Sequence, residues 1–349
     1  MRFLAERPCK ALRQAVAALS VLALVTSVAA QTNSPPGTSA LPDAKPAQRG
    51  LNEWLARMQE ASGRRAYVGT FVVSAGASLS RSRIWHVCDG EQQVERVESL
   101  TGAPRSTFRH NDQVVTFLSD TKTVLTERRE SLAHFSNFLQ SNESSIAQFY
   151  LLKLIGSGRV AGLDADVLQL QPKDDLCYGY RVWAEKNSGL VVKLQTLDQA
   201  GQVLEQAAYS ELQLDAPVSM ENLTRLMGKT EGYRRVDADP AQTSAAMEGW
   251  VLKTDVPGFK PLRCYRRLLG SGAASRQEPT LQWIFSDGLA SVSLFIEAFD
   301  PRRHGQAGSY AVGATHTLTR RIGDWWLTVV GEVPPQALLA FAQGLERNR

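Results

Sequence analysis

Apolar positions recur at helical spacing near the start of the ordered chain: Leu51, Trp54, Leu55 and Met58 fall at i, i+3, i+4 and i+7, one stripe of a helix. The period then drops to two. Tyr67–Ser74, Leu79–Cys88, Gln92–Leu100, Ser106–Arg109, Gln113–Leu118 and Lys122–Arg128 read as successive strands, separated by Asp89-Gly90, Gly102 and Asn111-Asp112. Links this short predict antiparallel meander connections. Ser131–Gly158 reads as a helical insertion, with Ile146, Phe149, Tyr150, Leu152 and Leu154 on a wide apolar face and a cap at Asn142 or Ser144. Strands return at Val167–Gln171, Tyr178–Glu185, Leu190–Leu197 and Val203–Leu214.

A mixed stretch, 216–246, holds a short helix at Met220–Met227 and reads as a linker. Beyond it come strands at Leu262–Leu269, Thr280–Phe285, Ala290–Phe299, Ala311–Arg320 and Trp325–Gly331, with hairpin signals at Asp287-Gly288 and Gly323-Asp324. Pro334-Pro335 opens a closing helix carrying Leu338, Leu339, Phe341 and Leu345. The expected class is α+β, with a large antiparallel domain at 50–215 and a smaller antiparallel α+β domain at 247–349. A sheet with helices on one side leaves room for a pocket, filled either by side chains or by ligand.

The first thirty residues carry Arg2, Arg7, Lys10 and Arg13, then an uncharged run, Ala15–Ala30, that ends on Val28-Ala29-Ala30. This is the pattern of a secretory signal peptide, 1–30. A retained anchor is disfavoured by the Ala-rich run and the cleavage-like end. Residues 31–49 are rich in Pro, Ser and Thr and read as a flexible tether. The mature chain is expected to be exported and soluble. It keeps Cys88, Cys177 and Cys264, of which Cys88 and Cys177 share a domain and are the candidate disulfide.

The formal net charge of the 349 residues is +4, and +3 of that lies in the leader. A chain so balanced is not expected to bind nucleic acid. No G-x-S-x-G elbow, H-E-x-x-H helix or phosphate-binding loop occurs, and the five histidines are scattered, so neither catalysis, metal nor cofactor is expected. Binding features are more visible. The chain beyond Gly228 is +3 where Gln31–Gly228 is −2, with clusters at Arg263, Arg266 and Arg267 and at Arg320 and Arg321. Guanidinium groups pair in bidentate fashion with carboxylates or phosphates. Trp325 and Trp326 must fall on opposite faces of a strand, so one indole fills the core and the other needs a cover. Arg263, Arg266, Arg267, Arg320, Arg321 and Trp326 are the expected partner contacts. Tyr67, Phe71, Trp85, Phe149, Tyr150 and Trp183 are the expected lining of an apolar cavity.

The run Tyr67-Val-Gly-Thr-Phe-Val-Val73, then Glu95-Arg-Val-Glu-Ser-Leu-Thr-Gly102, Pro104-Arg105 and Arg109, resembles the first domain of the RseB/MucB family. Trp250, Val256-Pro-Gly-Phe259, Phe285-Ser-Asp-Gly-Leu289, Ser291-Val-Ser-Leu-Phe295 and Gly331-Glu-Val-Pro-Pro335 resemble its second. The resemblance implies a periplasmic regulator of envelope stress. Its first domain would be a LolA-like half-barrel closed by helices around an apolar cavity. Its second would contact the periplasmic part of an RseA/MucA-type membrane anti-sigma factor, shielding it from the first regulatory protease until lipopolysaccharide or lipid displaces the regulator. Homo-oligomers are possible on this reading. The rival expectation is a periplasmic lipid or lipoprotein carrier.

Overall fold

The computed structural model describes residues 49–128, 143–237, 240–267 and 279–348. The expected signal peptide at 1–30, the expected tether up to 48, the first part of the expected insertion including Asn142, and the expected strand end at Leu269 lie outside the described residues.

Helix α1 (Leu51–Arg64) buries Trp54, Leu55 and Met58 of the expected stripe and adds Ala61, while Leu51 at its start is only half-buried. Its N-cap is Gly50 with no side-chain bond, so its hold comes from the packed face. Strands β1 (Tyr67–Ala75), β2 (Ser78–Cys88), β3 (Gln93–Ser99), β4 (Arg105–His110), β5 (Gln113–Leu118) and β6 (Thr123–Arg128) follow as an antiparallel meander. A second run comprises helix α2 (Glu143–Phe149), then β7 (Tyr150–Val160), β8 (Leu163–Pro172), β9 (Gly179–Glu185), β10 (Val191–Leu197) and β11 (Val203–Leu214). Strand β11 pairs antiparallel with β1, which joins the two runs.

The expected helix over Ser131–Gly158 is corrected here. Only Glu143–Phe149 of its described part is helical; Leu152 and Leu154 belong to β7. Gly156 and Gly158 disfavour helix continuation, and pairing with β8 sets Leu152 opposite Leu170 and Leu154 opposite Leu168. An apolar run of this kind fits either period until a partner strand decides it.

The stretch 216–246 contributes structure to both sheets. Helix α3 (Met220–Met227) is capped by Ser219, whose Oγ accepts from the Asn222 amide at 3.1 Å. Strand β12 (Arg234–Asp237) then adds parallel to β6, and β13 (Ala241–Gln242) adds to β15 (Lys260–Arg267). Strands β16 (Thr280–Ser286), β17 (Ser291–Ala298), β18 (Gly308–Val312), β19 (Thr315–Ile322) and β20 (Trp325–Gly331) complete the second sheet. A short pair, β14 (Trp250–Leu252) with β21 (Leu345–Arg347), is linked through helix α4 (Pro335–Gly344).

Among the described residues the first sheet has twelve strands in the order β12-β6-β5-β4-β3-β2-β1-β11-β10-β9-β8-β7, and the second has seven, β13-β15-β16-β17-β20-β19-β18. The architecture is a mostly-sheet α+β fold. Its large sheet is open, with edges at β12 and β7, and few helices accompany it. One buried cluster runs from Trp54 and Tyr67 in the first lobe through Tyr150 and Tyr180 to Phe259, Leu294 and Phe341 in the second. On the other face of β4–β6 a small cluster of Phe108, Val115, Phe117 and Val124 is covered by Met227 of α3.

Candidate functional site

The inner face of the large sheet is set by register. Tyr67, Gly69, Phe71 and Val73 alternate inward along β1, opposite Tyr209 and Ala207 of β11. Gly69 is required there: a Cβ would stand 2.7 Å from Tyr209 Cε1. Tyr67 stacks on His86 at 4.7 Å, and Tyr209 meets both Tyr67 and Phe71 edge-on. Burial pushes the Tyr67 and Tyr209 hydroxyls well up, keeping both neutral.

Next along the same row, His86 pairs with Glu95, and Glu95 with Arg109. Arg109 Nη2 donates to Glu95 Oε2 at 3.1 Å with both side chains buried, and Nη1 donates to the Asn111 carbonyl at 3.1 Å. His86 Nδ1 lies 2.6 Å from the Arg65 carbonyl and therefore carries the proton; Nε2 accepts from the Gln93 amide. Burial lowers the His86 pKa below its ordinary 6.5. The unfolded chain then takes up that proton first, so stability is complete above about pH 6.5 and falls as the solution is acidified below it. Urea midpoints between pH 8 and pH 5 should show this slope for the wild type and a shallower one for His86→Gln; equal slopes would show that His86 does not set it.

The two lobes meet at a buried carboxylate. Asp287 occupies the turn after β16, where its Oδ1 accepts from the Leu289 and Ala290 amides at 2.8 and 2.7 Å. Its Oδ2 accepts from Tyr150 Oη at 2.9 Å and from Cys177 Sγ at 3.3 Å, both from the first lobe. Burial and the Asp287 charge push the Tyr150 hydroxyl well up, and the same two causes raise the Cys177 thiol. Phe149 packs under Gly258, where a Cβ would lie 3.3 Å from its ring. Tyr178 Oη lies 3.3 Å from His316 Nδ1, and Arg267 reaches Glu127 at 3.9 Å.

This arrangement corrects the expected disulfide. Cys88, Cys177 and Cys264 are free thiols, and Cys177 is buried as a donor to Asp287 while Cys88 sits half-buried at the end of β2. Sharing a domain did not bring the two sulfurs together.

The six cavity residues do not share one face. Tyr67, Phe71 and Tyr150 are buried in the inner cluster, and Phe149 is half-buried against it. Trp85 is one residue out of phase: it pairs with Val68, so it faces the other side of the sheet. There it lines a groove of about 380 Å³ with Arg83, Arg96, Val218, Leu223 and Leu226, roofed by α3. The guanidiniums of Arg83 and Arg96 lie 5.2 and 4.8 Å from its ring centroid. Trp183 is likewise on the outward side of β9, under Lys193 at 4.5 Å, while its neighbours Val182 and Ala184 point inward.

The second-lobe arginines are largely engaged within the chain. Arg266 makes a bidentate pair with Glu248, 2.8 Å on each arm. Arg320 donates to the Ala342 carbonyl near the end of α4 at 3.1 Å, and Arg321 lies 4.0 Å over Phe299. Arg263 is exposed and reaches Tyr265 Oη at 3.3 Å. Trp326 is buried, stacked on His304 at 5.1 Å and beside Phe299, so it presents no indole to a partner. Trp325 is covered in turn by Trp250 and by Arg347 at 4.3 Å. Both indoles find their cover within the chain.

Two groups escaped the sequence reading as parts of a site. Asp287 was legible only as a turn residue, since nothing local says that a turn carboxylate will be buried under another lobe. The open edge of β7, with Leu151, Leu154 and Ile155 exposed, was hidden by the helical reading of its residues.

The described chain is two-lobed and mostly sheet, with a polar pin between its lobes and no cluster of potential metal ligands among the described residues. Comparison with known proteins makes this specific. The MucB/RseB N-terminal domain model matches residues 50–227 and the MucB/RseB C-terminal domain model matches 244–346. The chain belongs to the MucB/RseB family. It is 29% identical over 288 residues to the sigma factor AlgU regulatory protein MucB of Pseudomonas aeruginosa, covering 81% of this chain and 86% of that one. It is 20% identical to the sigma-E factor regulatory protein RseB of Escherichia coli, covering 88% and 93%. The solved complex of Pseudomonas aeruginosa MucA and MucB matches with a TM-score of 0.66 at 25% identity, over 86% of this chain and 99% of that one.

Proposed function

We propose that this protein is a periplasmic regulator that binds the periplasmic part of an RseA/MucA-type membrane anti-sigma factor. Binding shields that factor from regulated proteolysis, and lipopolysaccharide or another lipid releases it. The observation that carries this reading is the match of both lobes, in order, to a chain solved together with MucA. Removal of 1–30 would deliver the chain to the periplasm; no helix among the described residues is long and apolar enough to cross a membrane.

The proposed lipid site lies on the inner face of the large sheet, in a half-barrel-like arrangement around Tyr67, Phe71 and Tyr150, with Phe149 at its margin. Each acyl methylene buried there would contribute about 0.8 kcal/mol. Trp85 and Trp183 do not belong to this site. A lipid that binds the free regulator better than the complexed one must weaken the complex by the same factor, because linkage is reciprocal. On the second lobe, the exposed Arg263 and Arg266 are the proposed contacts for partner carboxylates, Arg266 exchanging its bond to Glu248.

The test is calorimetric titration of the mature protein with the periplasmic segment of an RseA/MucA-type anti-sigma factor from the same organism, with and without lipopolysaccharide. Tight binding that the lipid reverses is expected, and light scattering on the same samples reports any homo-oligomer. Absent binding, with lipid retained through purification, would favour the carrier function instead.

A further inference from the structure

Open strand edges are templates for another chain, and most proteins blunt them with short strands or charge. Among the described residues three of the four edges of the two large sheets are short, though β18 also exposes Tyr310 and Val312. Strand β12 is four residues, Arg-Arg-Val-Asp, β13 is two and β18 is five. Strand β7 is the longest of them, with eleven residues, Tyr150–Val160, and no strand paired to its outer side among the described residues. Leu151, Leu154 and Ile155 are 48%, 50% and 46% exposed there. The β-bulge at Ile155 divides the strand but does not cover it.

The charges on this edge are all positive. Lys153 lies in the first half, where its Nζ donates to Gln171 Oε1 at 3.3 Å; Arg159 lies in the second, donating to the Gly162 carbonyl at 3.1 Å. Neither forms an ion pair among the described residues. Pairing with a second copy about a two-fold axis at Gly156 would set Lys153 against Arg159, like charge against like. An acidic strand would have the opposite sign at both places.

We infer that β7 is the docking edge for an extended segment of the protein partner, added as a further strand, with apolar side chains beside Leu151, Leu154 and Ile155 and a carboxylate near each of Lys153 and Arg159. This rests on the regulator reading for the partner's identity. The edge begins at Tyr150, whose hydroxyl holds Asp287, so the added strand would start beside the lobe junction. A strand held there has the backbone groups of one side already paired with β7, which hinders a protease from pairing with them.

The experiment compares the mature wild type with Lys153→Glu/Arg159→Glu and with Leu154→Asp, all exposed positions, after checking that thermal unfolding is unchanged. Each is titrated with the anti-sigma periplasmic segment, and hydrogen exchange of residues 151–159 is followed with and without it. The expected result is a dissociation constant at least tenfold weaker for both variants, and slowed exchange along β7 in the wild-type complex. Wild-type binding with unchanged constants in the variants and no protection of β7 would overturn this inference and leave the regulator reading standing. Failure of the wild type to bind the segment would overturn both.

Discussion

Asp287→Ala should lower the unfolding free energy by about 3 kcal/mol or more. The carboxylate is buried and receives four donors, two amides of its own turn and the Tyr150 hydroxyl and Cys177 thiol of the other lobe. A buried donor stripped of its acceptor costs roughly 1–3 kcal/mol. Water entering the vacated space will satisfy some of the four, which is why the expected loss sits below their combined range of about 4–12 kcal/mol. Thermal unfolding should show a midpoint lower by roughly 6–12 °C, at roughly 2–4 °C per kcal/mol for domains of 150–250 residues. Asp287→Asn should fall between alanine and wild type, because its carbonyl oxygen can still accept from the turn amides. Tyr150→Phe should cost less than either, since only one donor is removed together with its bond. A midpoint for Asp287→Ala within a degree of wild type would show that the lobes are held by apolar packing alone.

Arg109→Met should be the most damaging single change in the first lobe. Glu95 is fully buried, its Oε2 is held by Arg109 at 3.1 Å, and its Oε1 makes no hydrogen bond with the described residues. Removing the guanidinium leaves a buried carboxylate without its counter-charge, a loss of about 3–5 kcal/mol in comparable pairs. The double variant Glu95→Leu/Arg109→Met removes the orphaned charge as well and should recover most of that loss, because a buried ion pair is often no more stabilising than apolar side chains of similar volume. Chemical denaturation of the two single variants and the double one gives the coupling directly. Additive losses, with the double variant worse than either single one, would show that the pair is not a unit.

Most strands of both lobes were legible because a half-buried strand writes its two faces into alternate positions, and the Asn, Asp and Gly turns marked their ends. The expected single strand Ala311–Arg320 is instead the hairpin of β18 and β19, turning at Gly313 with positive φ. What alternation could not give was phase across strands. Trp85 was grouped with Tyr67 and Phe71 by size and neighbourhood, yet pairing with Val68 sends it to the opposite face. Tyr150-Leu-Leu-Lys-Leu-Ile155 fits a helix face as well as a strand, and only β8 settles it. The arginine clusters were visible as charge, but their partners Glu248, Phe299 and the α4 carbonyls lie far away in sequence or on other elements. Asp287 makes the same point most sharply: its turn was read from two residues, while its role depends on Tyr150 and Cys177.

The pairing of β1 with β11 sets the order in which the chain can be completed. Tyr67 is opposite Leu214, so the middle of the large sheet joins segments that are made far apart in time. By the end of β6 at Arg128 the strands of the first meander are all made, but its β6 side waits for β12 and its β1 side stays bare until Val203 and beyond have followed. A loop of that length slows folding, since closure entropy must be met before the contacts reward it. Through that interval β1 offers Phe71 and Val73 on an unpaired ladder, the kind of surface on which nascent chains aggregate. The newly made protein is therefore expected to depend on being held or shielded until its last first-lobe strand arrives.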